Sequence, residues 1–218
     1  MFSAGIARAS TRLVRTFMTE PMPHSPHERT LPNQEAFDIA ANRAARKWTR
    51  WELVGRLLWE VVGVPAFAWS PRPAWAFRRC LLRLFGAKIG GDVHLYPTVK
   101  IAVPWHLTIE EEVAVGDGAI LYNLGPITIG RRATISQHAH LCAGTHDFRR
   151  ASFDLLKQPI EIGPDAWICA DAFVGPGVSI GERTILGARG VAMRDLPAGV
   201  IAAGNPAQPI KPRPGLSA

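Results

Sequence analysis

The feature that most constrains this chain is a six-residue beat running from residue 89 to residue 201. Aliphatic residues recur at Ile89, Leu95 and Ile101, restart at Ile109, Val115 and Leu121, and restart again at Ile129, Ile135 and Leu141. The restarts are 20 residues apart. After an interruption the beat resumes at Ile162, Ile168, Val174, Ile180 and Leu186. Four residues after most of these stands a small or β-branched side chain, as at Val93, Val99, Val113, Ala119, Ala133, Ala139, Thr145, Ala166, Ala172, Val178 and Thr184. A fixed short period means a chain that coils on itself, each turn burying what its neighbour cannot cover alone. The apolar spacings of three and four that an α-helix requires are absent. Glycine is frequent just after the aliphatic position, which suits short strands joined by tight corners. Leu107-Thr108 and Ile127-Thr128 supply the extra residues that bring three sixes to one coil.

The flanks read differently. Residues 1–33 form an expected leader and linker, 34–88 a helical segment, 89–203 the coil and 204–218 a tail. The leader carries Arg8, Arg12 and Arg15 with no acid before Glu20, yet lacks the continuous apolar run of a secretory signal. Met18 and Met22 are alternative starts, and residues 21–32 read as a flexible linker. From about residue 34 to 62 the pattern is helical, with Trp48, Trp51, Val54, Leu58, Val61 and Val62 on one side and Pro65 as its end. A second helix is expected from Pro73 to Gly86. The aromatic run between Trp59 and Trp69 is far shorter than the ~20 residues of a membrane span.

Composition narrows the partners. At 47% hydrophobic residues the chain can build a substantial core, and its net charge of +7 points to an anionic partner. The cations are dispersed and no nucleic-acid reading motif appears, so nucleic acid is not the expected partner. Two roles for the helical segment are compatible. Its helices cap the open end of the coil, and its tryptophans lie in a lipid headgroup region with Arg46, Lys47, Arg50, Arg78 and Arg79 meeting anionic lipid. Three widely spaced cysteines, Cys80, Cys142 and Cys169, imply no disulfide framework and point to a reducing cytoplasm.

The chemistry candidates concentrate in residues 138–147. His138, His140, Cys142, His146 and Asp147 suggest zinc at first sight. On the six-residue register, however, His138, His140 and Cys142 occupy three different positions of the turn, so no metal is expected. His146 stands where the regular run ends and residues 147–161 leave the body. Histidine at a scaffold edge facing a loop suits proton transfer near neutral pH. The same position also suits an ordinary surface histidine.

The hexapeptide code, the Ile-Gly-x-x-Ala-Trp-Ile element at 162–168 and the ending Gly204-Asn205-Pro206-Ala207 resemble the hexapeptide-repeat O-acetyltransferases. The likeness is nearest to the colanic acid biosynthesis acetyltransferase group. It extends through Phe67-Ala68-Trp69-Ser70-Pro71, residues 81–90 and 97–101, and Gly144-Thr145-His146-Asp147. This resemblance implies an all-β, left-handed parallel β-helix with an N-terminal helical segment. It further implies acetyl transfer from acetyl-CoA to a sugar hydroxyl, both bound together, in a homotrimer with active sites at the subunit boundaries. Carried over by position, the catalytic base falls on His146, and Asn123 becomes an acceptor-binding candidate. Asp147 is a candidate by its place beside His146, either binding the acceptor or orienting the loop. Asn123 also has a reading as a corner asparagine that satisfies backbone. The family's acceptor-binding asparagine falls at or near Gly116, a departure that bears on sugar specificity. For the cofactor, the small groove positions fall on Ala170 and Ala188, with Arg194 following the last coil and Lys211 near the 3′-phosphate; Trp167 either walls the groove or packs between subunits. A further basic residue of the family falls on Gln208, a departure that weakens that contact. The acceptor so implied belongs to an exopolysaccharide or its lipid-linked precursor at the inner membrane face. Alternatives are another small acceptor, such as an amino sugar, serine or an antibiotic, and a scaffold or γ-carbonic-anhydrase-type metal enzyme.

Overall fold

The computed structural model describes residues 36–215, so the expectations for 1–33 lie outside the described residues. The beat becomes a triangular prism whose three faces are parallel sheets. One face stacks Ile89, Ile109, Ile129, Ile162 and Ile180; the second stacks Leu95, Val115, Ile135, Ile168, Leu186 and Ala202; the third stacks Ile101, Leu121, Leu141, Val174 and Ala192. These residues point inward and are buried, as are the small residues four places on, from Val93 to Thr184. Thr145 alone departs from the list: it is exposed, because the chain has left the coil there. Coils lie one strand spacing apart, so a side chain at some corners would collide with the next turn. A Cβ on Gly163 would stand 2.5 Å from the Glu182 nitrogen, and only glycine fits.

Both ends of the prism are closed. At the C-terminal end, Ala207–Pro212 of the expected tail forms a strand antiparallel to Val200–Gly204. The N-terminal end is closed by helices α1 (Ile39–Ala44), α2 (Arg50–Leu58), α3 (Val64–Ala68) and α4 (Trp75–Leu84). Thr49 and Glu52 start α2 with a reciprocal capping box. Pro65 does not end this helix, as the sequence reading expects. A π turn at Trp59–Gly63 joins α2 to α3, and the loosened bonding there accommodates the missing proline donor.

Side chains of this segment take the carbonyls that the first coil would leave bare. Arg78 is fully buried and donates to the Leu95, Pro71 and Arg72 carbonyls and to Ser70 Oγ. Its burial lowers the guanidinium pKa, and these acceptors offset the desolvation. Arg79 donates to the Val93 carbonyl, Arg83 to those of Ile89 and Gly90, and the Trp59 indole to that of Ile101 at 2.8 Å. The expectation that Arg78 and Arg79 meet lipid is therefore corrected: both cap strand ends.

The packing face of the long helix also differs from the expected one. Gly55, Trp59, Gly63 and Phe67 face the coil, with the Trp59 ring filling the space above Gly63 and Trp105 lying against Gly55. Trp51, Val54, Leu58, Val61 and Val62, grouped by the helical pattern, face outward. Glycines at the contact bring the helix axis close to the coil, a gain that the larger aliphatic face cannot match.

Candidate active site

The chain leaves the third face after Ala143 and forms a hairpin, Gly144–His146 against Leu155–Lys157, before rejoining the prism at Ile160. His146 ends the outgoing strand and is half-buried. Its Nδ1 lies 2.8 Å from the Phe153 carbonyl oxygen. A carbonyl can only accept, so Nδ1 carries the hydrogen; in the neutral ring this leaves the lone pair on Nε2, the tautomer a general base requires. The two rings stack with centroids 4.4 Å apart and planes 4° from parallel. Phe153 has φ +47°, a left-handed conformation uncommon for a bulky residue, which turns its carbonyl back towards His146.

Helix α1 braces this arrangement from outside. Asn42, buried, donates from Nδ2 to the carbonyls of Ser152 and Phe153, and its Oδ1 accepts from Lys47 Nζ at 2.7 Å. The Asp38 N–H donates to the Ala151 carbonyl at 2.7 Å, and the Phe37 ring lies 4.8 Å from that of Phe153. Neither Phe153 nor Asn42 is signalled by the sequence, where they lie more than a hundred residues apart. On the loop's far side Lys157 Nζ sits 3.4 Å from the Trp48 ring centroid and donates to the Lys47 carbonyl. Burial lowers its pKa, partly opposed by Glu52.

The two acceptor-binding candidates fare differently. Asp147 follows His146 directly, but its Oδ1 accepts from the Arg149 N–H at 3.0 Å and its N–H donates to the Asp154 carbonyl. It organises the turn, whose far side is held by the Arg150–Asp154 pair. Asn123 is corrected outright. It is fully buried; its Oδ1 accepts from the Ala102 and Val103 N–H groups at 3.0 Å, and its Nδ2 donates to the Val103 carbonyl. Its amide is consumed by the preceding corner, as the corner reading has it, and no polar atom is left for an acceptor.

The cofactor candidates divide. Ala170 and Ala188 occupy equivalent corners of successive coils, joined by the Arg189 N–H donating to the Ala170 carbonyl at 2.9 Å. Trp167 projects from the adjoining face, and its indole donates to Ser136 Oγ at 2.8 Å. Lys211 is exposed on the final strand, opposite Ile201 on that face. Arg194 stands apart, at the corner leading from the third face to the first, the edge from which the His146 hairpin also leaves. Arg213, which the sequence reading did not single out, shares with Trp167, Arg132 and Arg183 a cavity of about 390 Å³. Its Nη1 donates to the Asp165 and Arg183 carbonyls. A larger hollow of about 750 Å³ lies against the first face, between Arg83 and Pro164, with no residue of the hairpin in its lining.

His140 sits on the outer side of the third face, edge-on to Tyr122 and Phe173. Its Nε2 is buried without a hydrogen-bond partner, and desolvation lowers its pKa. Among the described residues no three His, Cys, Asp or Glu side chains converge to hold a metal ion.

No protein-family model matches the chain. Among curated proteins, the putative colanic acid biosynthesis acetyltransferase WcaF of Escherichia coli (strain K12) is 48% identical over 156 residues, covering 72% of this chain and 86% of the relative. The galactoside O-acetyltransferase of the same organism is 26% identical over 137 residues, covering 62% of this chain and 68% of that one. Among solved structures, a maltose O-acetyltransferase from Clostridium difficile 630 superposes with a TM-score of 0.70 at 20% identity, over 77% of this chain and 90% of that one. A hexapeptide-repeat-containing acetyltransferase from Vibrio cholerae O1 biovar eltor, complexed with acetyl coenzyme A, gives 0.70 at 21% identity over 78% and 93%. The structural likenesses establish the left-handed β-helix fold, and the relative covered along 86% of its length establishes the kinship. The chain thus belongs to the hexapeptide-repeat acetyltransferases, in the group of the colanic acid biosynthesis acetyltransferases.

Proposed function

We propose that this protein transfers the acetyl group of acetyl-CoA to a hydroxyl of a sugar belonging to an exopolysaccharide or its lipid-linked precursor, in the cytoplasm at the inner membrane face. The observation that carries the reading is the His146 imidazole, held by the Phe153 carbonyl at the turn end of a short hairpin, with Nε2 of the neutral ring available as acceptor. A sugar hydroxyl is far too weak an acid to ionise at neutral pH. Nε2 takes its proton as the oxygen attacks the thioester carbonyl, a contribution of about 10²–10⁴ in rate. The C–S bond then breaks, and the imidazolium returns the proton to the leaving sulfur. Both substrates must be bound for this transfer, because the acyl group passes directly between them.

In this reading acetyl-CoA runs along the later coils past Ala170 and Ala188, with Trp167 as a wall and Lys211 near the phosphates, while Arg194 stays on the His146 edge. Three copies assemble, and the distance around the prism from these corners to His146 is bridged by a neighbouring subunit. Asp147 shapes the acceptor side of the hairpin. The test is acetyl transfer from acetyl-CoA to soluble sugar acceptors, together with mass spectrometry of the surface polysaccharide with and without the protein. Loss of turnover in a folded His146→Ala variant is expected; near-normal turnover by that variant would overturn the assignment. Transfer only to an amine acceptor would favour the N-acetylation alternative.

A further inference from the structure

Helix residues 50–68 are amphipathic with the apolar side facing away from the body of the protein. Trp51, Leu53, Val54, Leu57, Leu58, Val61, Val62 and Val64 are exposed along it. Trp51 and, just past its end, Trp69 stand at opposite ends with 85% and 89% of their surface open. The nineteen residues span about 28 Å at the helical rise, and the carboxylate on this stretch of the outward side, Glu60, is paired with Arg56. A contiguous apolar face of this size is far beyond scattered surface hydrophobes.

Charge identifies what the face meets. Residues 36–88 hold ten Lys and Arg against three Asp and Glu, a balance of +7, whereas residues 89–218 hold eleven against twelve. The whole net charge therefore sits in the helical segment. Arg78, Arg79 and Arg83 are taken up by strand carbonyls. Arg43, Arg46 and Arg50, just before the apolar face, are exposed, and among the described residues none of the three pairs with a carboxylate. Exposed aliphatics flanked by tryptophans and preceded by unpaired arginines fit the interface of an anionic bilayer, where apolar side chains enter the acyl boundary and cations meet phosphate. Among the described residues no helix is long and apolar enough to cross a membrane, so the helix would lie in the surface plane.

We infer that the outward face of residues 50–69 docks this protein on an anionic lipid surface. Docking stands independently of acetyl transfer. Its link to a lipid-borne acceptor rests on that reading and on residues 37–48, which connect the docking helix to the hairpin of His146 through Phe37 and Asn42.

The experiment is co-sedimentation of the full chain, without acetyl-CoA, with vesicles of phosphatidylcholine alone and of phosphatidylcholine mixed with phosphatidylglycerol. Binding to the anionic vesicles that weakens with added salt is expected. The doubly substituted Leu57→Asp, Val61→Asp protein should bind at least about tenfold more weakly, with unchanged sedimentation in solution and unchanged acetyl transfer to a soluble sugar. Absence of binding at low salt, or equal binding by the variant, overturns the proposal. So does a smaller assembly for the variant, which would mean that a second copy covers the face. Vesicle binding by a protein that transfers no acetyl group would sink the enzymatic reading alone.

Discussion

Phe153 holds His146 twice: its ring lies flat on the imidazole at 4.4 Å, and its carbonyl accepts the Nδ1 hydrogen at 2.8 Å. Replacing Phe153 with Ala keeps the carbonyl and removes the ring. Turnover should fall roughly tenfold, the equivalent of about 1.4 kcal/mol of lost orientation, with substrate KM values little changed. Steady-state kinetics beside a circular dichroism melt would check this; a lower melting temperature without loss of turnover would mean that the stack serves stability only.

Asn42 shares that carbonyl with His146. Asn42→Ala removes one of its two donors and leaves Lys47 without its acceptor, so kcat should drop about three- to tenfold while the fold loses about 1 kcal/mol. Asn42→Asp should be worse in kcat, because a carboxylate oxygen would face two carbonyls. Equal kcat for wild type and both variants, measured at saturating acetyl-CoA, would show that α1 plays no part in positioning the base.

Asn123 separates stability from recognition. Asn123→Ala leaves the buried Val103 N–H without a partner and takes one of two hydrogen bonds from the Ala102 N–H, which also donates to Leu121, and from the Val103 carbonyl, which also accepts from the His106 N–H; it should cost about 1–3 kcal/mol, read from denaturant unfolding. The acceptor KM of whatever remains folded should match that of the wild type. A raised KM at unchanged stability would restore the acceptor-binding role.

His140 makes stability depend on pH. Its folded-state pKa lies below the ordinary value of about 6.5, so on acidification the unfolded chain takes up the proton first. Stability should decline as pH falls below about 6.5 and level off once the folded-state pKa has been passed. Above that window the group has no effect. His140→Leu should flatten this part of a melting-temperature profile; an unchanged slope would assign the acid sensitivity to other groups, among them Asp165, whose pKa is lowered by Arg132 and whose contribution fades only at much lower pH.

The prism was legible in the residues because its determinants are local and repeated. Each aliphatic of the beat, from Ile89 to Leu186, meets its equivalent one coil away, so one period carries strand length, register and inward face together. The break in the beat places His146 at an edge, where an ordinary surface histidine fits as well; its reading as the base rests on the resemblance carried by Gly144-Thr145-His146-Asp147. Contacts between distant segments left no such period. Asn42 meets Phe153 across 111 positions, and the left-handed turn at Phe153 that aims its carbonyl has no glycine to announce it. The role of Asn123 followed from burial, since one amide can serve a sugar or a corner and only its neighbours decide. The helical pattern of residues 50–68 established that one side is apolar, while the tertiary structure decided that this side faces out. Close approach at Gly55 and Gly63 let Trp59 and Phe67 close the coil instead. Periodicity therefore determined the scaffold, and packing determined which side chains are free to act, because burial and the pairing of polar groups belong to three-dimensional neighbours and not to sequence position.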